Sequence, residues 1–432
     1  MRNNLRALTH RRGEFLLLAF AAATVPLLVW ALWALVLHQG PNDYCDYWLA
    51  GRLVMQGHSP YDLAALSHLA QAEGLHFSLG GGYSYPPPFA LLMVPLAAMP
   101  FYGSFVVFTV LSLASFALTV AIWLGWAHGW EPSGRRRRLA LALAAGLYPP
   151  TYGSVVIGQA NLTLFPFLAL GAAWALNGGR WRAWWGGCLL GLAAIVKLVP
   201  GVLVVPLGLG RRFRGAIGVI AGALGALGLT VLVAPWTSAG SGGLSSLLKA
   251  DTYYTNQSLN GFVTRLVWDA GRSQAIWYRG FDPAPAMLAV TALFGLATLA
   301  IIWRARSALT SRRGMALALG LALVAGIVGA PKESTWNQAI ALVAVGLLLA
   351  VETPDLRLSR LGRFDRGLLA AWFGLTMLWT AIWALNLRAD AAGWLAPVVT
   401  LAWSSALYGM LALWWLLARR LLRHDLEPQA SA

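Results

Sequence analysis

From Phe15 to Leu37 the chain runs without a charge, behind a basic head of Arg2, Arg6, Arg11 and Arg12. An apolar stretch of about 18 residues or more spans a hydrocarbon layer of roughly 30 Å as a helix. In that layer a helix is one of the few structures that satisfies its own backbone groups. The stretch exceeds the apolar core of a signal peptide, about 7 to 15 residues, and Pro41-Asn42-Asp43 lacks a small-residue cleavage pattern. It is therefore expected to remain as a first membrane helix.

Further apolar runs follow near 102–126, 139–157, 160–177, 184–196, 198–210, 215–236, 286–303, 314–330, 337–351, 367–387 and 395–418. The pair 184–210 is short for two crossings and breaks at Lys197-Leu198-Val199-Pro200, which reads as a hairpin. The expected fold is thus an all-α, polytopic integral membrane protein, with about 12 transmembrane or re-entrant helices in one membrane domain over 1–432. Only 11% of residues are charged and 58% are hydrophobic. Soluble domains carry roughly 25% charged residues, so most of this exterior must face lipid.

A net charge of +16 invites a nucleic-acid reading, but the distribution opposes it. Most of the 32 Lys and Arg fall in the head and in clusters at 135–138, 180–182, 211–214, 304–313, 357–366 and 419–423. With alternating spans all of these lie on one side, the positive-inside pattern that marks the cytoplasm. The expected location is the cytoplasmic (inner) membrane, multi-pass, with both termini and the tail 419–432 cytoplasmic and no nucleic-acid partner. Two long outer loops remain, 38–86 and 237–285. The second opens on a Gly/Ser stretch, and both then turn aromatic, which argues against disorder. Cys45 and Cys188 fall in different settings, outer loop and span, so no disulfide is expected. No metal-ligand cluster, P-loop or dinucleotide fingerprint is apparent, and no cofactor is expected.

Within the first outer loop Asp43 and Asp46 are three residues apart, so on a helix they share a face. They read either as a solvated pair or as a carboxylate held to act as general base on a hydroxyl. Tyr44, Tyr47 and Trp48 beside them suggest an aromatic platform suited to a sugar ring or an interfacial belt. Lys197 is a cation among apolar residues of a membrane segment, which is costly and usually partnered; it either snorkels to the interface or meets the phosphate of a lipid carrier.

The order Asp43-Tyr44-x-x-Tyr47-Trp48-x-Ala50-Gly51, Gly57, Pro60-Tyr61-Asp62 and Tyr85-Pro86-Pro87-Pro88 resembles the first outer loop of glycosyltransferase family 87, polytopic enzymes of the GT-C class. Gly158-Gln159-x-Asn161, then Gly191-Leu192-Ala193-Ala194-x-x-Lys197-x-x-Pro200, then Asn256-Gln257-Ser258-Leu259 continue the likeness in order, from about residue 40 to 340. The resemblance implies an inverting transfer of mannose or another sugar from a polyprenyl-phosphate donor to a glycolipid or glycan acceptor. It implies Asp43 as catalytic base with Asp46 the weaker candidate. Tyr47, Tyr85, Gln159, Asn161, Lys197, Asn256, Gln257 and Trp336 are the candidate substrate-binding positions, while the Tyr85-Pro86-Pro87-Pro88 run also reads as a helix start and Gln159 and Asn161 also read as hydrogen-bonding groups between helices. Many members carry an acidic residue and two histidines after a Ser-Pro-x-Ser-Trp stretch. This chain instead reads Ala330-Pro331-Lys332-Glu333-Ser334-Thr335-Trp336-Asn337-Gln338, so Lys332, Glu333 or Asn337 takes any such role, or it is absent. A lipid phosphate as leaving group needs cations, and Lys197, Arg265 and Lys332 are the outer-face candidates. The rival reading is a transporter, which places ionisable groups at mid-membrane on broken helices.

Overall fold

The computed structural model describes residues 40–75, 82–126, 135–177, 179–238, 250–269, 272–276, 281–353 and 357–426. The expected first span at 15–37 lies outside them. Helices dominate, and the extended structure among the described residues is confined to isolated bridges, one of them antiparallel between Asn256 and Ser334. Among the described residues seven helical segments are long and apolar enough to cross a membrane: Phe101–Val120, Phe213–Val233, Ala284–Arg304, Arg312–Gly329, Thr335–Glu352, Arg363–Ala384 and Gly393–Arg423. An eighth is formed if Arg137–Leu147 and Pro149–Val156, bent by 52° at Tyr148, count as one span. Pro149 and Pro150 supply no amide donor to continue the first helix, which accounts for the break. The protein is an all-α polytopic membrane protein.

Arg312–Gly329 and Thr335–Glu352 are mostly buried and form the centre of the bundle. Phe213–Val233 and Ala284–Arg304 instead turn Leu224, Leu232, Leu293 and Leu296 outward, as lipid-facing helices do. The expected hairpin is present. Arg180–Val196 ends at Lys197, a 3₁₀ turn runs Val199–Leu203, and a short helix Val204–Leu209 returns.

Glycine sets the tightest packing. A Cβ on Gly191 of Arg180–Val196 would lie 2.2 Å from the Val219 carbonyl oxygen, and one on Gly218 of Phe213–Val233 would lie 2.4 Å from that of Trp184. Hydrocarbon offers little hydrophobic drive between helices, so close backbone approach over small residues carries such an interface. Gly191→Leu is expected to destabilise the protein by at least about 1–3 kcal/mol through overpacking, seen as a lower Tm in detergent. Gly225, with open space around its Cα, serves as control: Gly225→Leu should leave Tm unchanged. Equal Tm values for the two variants would contradict this packing.

The two ends of the bundle differ. At one end Glu352 receives Arg313 at 2.7 Å and Arg420 at 2.9 Å, and Asp365 receives Arg420 at 2.7 Å and Arg419 at 3.3 Å. This network ties the ends of four helices inside the basic clusters. The segment Pro331–Ser334, joining the opposite ends of Arg312–Gly329 and Thr335–Glu352, belongs to the other end.

Candidate active site

Asp43 and Asp46 lie on the helix Asn42–Met55, which begins directly after Pro41. Asp43 stands in its first turn, where the helix dipole favours a negative charge. First-turn amides have no partner within a helix. Here Asp43 N and Tyr44 N both donate to the Ile157 carbonyl, at 3.1 and 3.2 Å. Gly158 follows at φ +74°, and a Cβ on it would lie 2.4 Å from Tyr44 Cβ. Glycine is required there twice over, by backbone conformation and by space. The segment Gly158-Gln159-x-Asn161 is thus the seat of the carboxylate helix.

The residues around that seat are joined by hydrogen bonds. The Tyr47 hydroxyl donates to that of Tyr85 at 2.7 Å, and both lie 3.1 Å from Gln159 Oε1. Asn161 Nδ2 donates to Ser154 Oγ at 3.0 Å and to the Trp336 carbonyl at 2.9 Å, and lies 3.3 Å from Asn337 Oδ1. Lys197 Nζ donates to the same Asn337 oxygen and stands 5.8 Å from the centre of the Tyr85 ring. Asn337 also hydrogen-bonds the Glu333 carboxyl. Lys197, Glu333, Asn337, Asn161 and Tyr85, spread over some 250 residues of sequence, therefore meet at one place.

The expected aromatic platform is not laid open. Tyr44, Tyr47 and Trp48 are fully buried. Tyr44 packs among Phe101, Phe105 and Phe108, Tyr47 edges onto Phe89, and Trp48 edges onto Phe101. The apolar helices Pro87–Ala97 and Phe101–Trp126 cover this face, so the rings are core. Trp336 is likewise core: its indole meets Trp379 and Trp383 edge-on and lies over Gly153, where a Cβ would sit 1.9 Å from the ring.

Asn256 and Gln257 brace the loop that carries Lys332 and Glu333. Gln257 N donates to the Glu333 carbonyl at 2.7 Å, Glu333 N to Asn256 Oδ1 at 3.1 Å, and Thr335 N to the Thr255 carbonyl at 2.9 Å. Gln257 Nε2 reaches the Trp403 carbonyl at 2.6 Å. Arg265, buried, directs its guanidinium to the Asn256 carbonyl at 2.7 Å and Ser404 Oγ at 2.9 Å. It holds the loops together, while Lys197 and Lys332 supply the charge felt by the carboxylates. Ser154 and Asn337 are the junctions of the cluster. Ser154 drew no attention in the sequence because a serine in an apolar helix carries no pattern of its own.

Asp43 and Asp46 are each half-buried. Burial raises the Asp43 carboxyl to about 6, against the opposing pull of Lys197 and then Lys332. Asp46 is raised further, to about 9, first by burial and then by the charge of Asp43, with only Lys332 opposing. Near neutrality the pair carries one negative charge, on Asp43, and one proton, on Asp46. Two neighbouring titratable groups pushed apart in this way are a common mark of acid–base sites. Burial lifts Glu333 to about 7, with Lys197 pulling it back. Among the described residues no three His, Cys, Asp or Glu side chains gather in a way that could hold a metal ion.

A profile of glycosyltransferase family 87 matches residues 83–331, more than half of the chain. The chain belongs to glycosyltransferase family 87. It is similar to a polyprenol-phosphate-mannose-dependent alpha-(1-2)-phosphatidylinositol mannoside mannosyltransferase of Mycobacterium tuberculosis, 26% identical over 79% of this chain and 88% of the relative. The protein with the same description from Mycolicibacterium smegmatis is 27% identical over 78% of this chain and 80% of its own length. A phosphatidylinositol pentamannoside mannosyltransferase of M. tuberculosis is 27% identical over about half of each chain. This member of family 87 is a membrane glycosyltransferase, and the lone cation and carboxylate pair found in its sequence lie together in its structure.

Proposed function

We propose that this family 87 enzyme transfers mannose from polyprenyl-phosphate mannose to a hydroxyl of a membrane glycolipid, at the outer face of the cytoplasmic membrane. The observation that carries the reading is Asp43 itself: half-buried, under the charge of Lys197, and raised by burial to about 6, so that it is ionised at neutral pH and still basic. Its carboxylate takes the proton of the acceptor hydroxyl. The oxygen then attacks the anomeric carbon, the bond from that carbon to the phosphate oxygen breaks, and polyprenyl phosphate leaves. A single displacement inverts the anomeric centre. Lys197 supplies positive charge where the phosphate departs, and the exposed Lys332 adds to it. The relatives' donor and acceptor support both substrate classes.

The contrast between the two ends of the bundle supports the outer-face orientation. The cluster of Lys197, Glu333 and the carboxylate pair lies opposite the Arg313, Arg419 and Arg420 end, and basic ends face the cytoplasm. Purified protein in proteoliposomes, given polyprenyl-phosphate mannose and phosphatidylinositol mannoside, should release polyprenyl phosphate and lengthen the acceptor by one mannose. Donor consumption by none of a panel of polyprenyl-phosphate sugars would overturn the reading.

A further inference from the structure

A cavity of about 600 Å³ opens beside the carboxylate cluster, lined by Asp251, Thr252, Tyr253, Tyr254, Arg272, Asn386 and Arg388. Its size suits a small ligand. Three separate loops build it, and each is pinned. Ala389 N donates to the Arg272 carbonyl at 3.1 Å. The Arg272 guanidinium lies 4.2 Å above the Tyr254 ring and 5.6 Å from that of Trp403. Asp251 accepts from Tyr253 N at 3.0 Å and from Asn256 Nδ2 at 3.2 Å.

Asn256 links this wall to the active site, because its side-chain oxygen also accepts from Glu333 N. Tyr253 lies within reach of the field of Asp43. Its ring is half exposed, against the buried rings around Asp43. Among the described residues Arg272 Nη1 is buried and has no hydrogen-bond acceptor. The charges balance: Arg388 is paired with Asp390 at 3.0 and 2.5 Å, and Asp251 and Arg272 share the lining. A site holding both signs beside an open aromatic face suits vicinal hydroxyls and the C–H face of a sugar better than a bare phosphate.

We propose that this cavity binds the sugar end of the glycolipid acceptor and presents its reacting hydroxyl to Asp43. The inference rests on the transferase reading above and adds where the acceptor sits. Recognition divides between Tyr253, against the ring face, and Arg272, Arg388, Asn386 and Asp251, toward the hydroxyls.

Binding is measured in nanodiscs on the Asp43→Asn background, with octyl α-mannoside, phosphatidylinositol mannoside, phosphatidylinositol and polyprenyl phosphate as probes. Tyr253→Ala and Arg388→Ala should each weaken both mannosides by about tenfold, the order of one aromatic or polar contact, and leave polyprenyl phosphate binding unchanged. Tyr253→Phe, which keeps the ring, should bind like its parent and shows that the loop still folds. Unchanged mannoside affinity in both alanine variants would overturn the proposal. So would phosphatidylinositol binding as tightly as its mannoside, which would identify the ligand as the headgroup phosphate. Transfer whose acceptor KM ignores both variants sinks the cavity and leaves the transferase standing; mannoside binding here without any transfer by the wild-type protein does the reverse.

Discussion

Asp43→Asn is expected to lower turnover by about 10²- to 10⁴-fold, the contribution of a general base, with expression and donor binding retained. Asparagine keeps the size of the side chain but takes no proton. The first-turn amides of Asn42–Met55 donate to the Ile157 carbonyl and not to the carboxylate, so the helix does not depend on the charge. Asp46→Asn should cost roughly tenfold or less, well below a base's share. With its carboxyl raised to about 9, Asp46 is neutral at pH 7 and an amide imitates it closely. The asymmetry has a cause in the structure: Asp43 feels both Lys197 and Lys332, Asp46 only Lys332. A nearly silent Asp43→Asn with a crippled Asp46→Asn would reverse the assignment. If both were silent and Glu333→Gln inactive, the base would lie in the Pro331–Gln338 segment.

Lys197→Met should raise the donor KM by about 10- to 100-fold, the equivalent of losing one charge-assisted hydrogen bond of about 1.5–3 kcal/mol. Removing one member of a buried ion pair commonly costs about 3–5 kcal/mol of stability. Here the cost should be smaller, because Glu333 already sits at about 7 and can take up a proton instead of staying charged. The substitution also acts at a distance on the base. Lys197 lowers the Asp43 pKa, so its loss raises that pKa above about 6. Activity then falls most at pH 6 to 7 and recovers as pH rises. An unchanged donor KM with an unmoved acid limb would reduce Lys197 to packing against Tyr85 and Asn337.

The membrane architecture was legible because its signals are local: uncharged runs, basic clusters between them, and the Lys197 to Pro200 break that became a hairpin. Asp43 and Asp46 were legible from their spacing of three, and Lys197 because a lone cation in an apolar segment needs a reason. Burial was not legible. Tyr44, Tyr47 and Trp48 sit in a polar loop and read as a surface, yet Pro87–Ala97 and Phe101–Trp126 cover them. Arg265 read as a phosphate-facing cation, but its environment is made by Asn256 and Ser404, far apart in sequence. The joining roles of Ser154 and Asn337 and the Arg272, Asn386 and Arg388 cavity are products of tertiary contact, with no spacing in the chain to announce them.

The central claim is that Asp43 removes the acceptor proton, and the pH dependence of kcat/KM for wild type and Asp43→Asn tests it most directly. Because the base works only when deprotonated and burial lifts its pKa to about 6, the wild-type rate should climb with pH through about 6 and level off above it. Asp43→Asn should be slow at every pH and lack that limb. An Asp43→Asn enzyme that keeps both the wild-type rate and the rise through pH 6 would contradict the account.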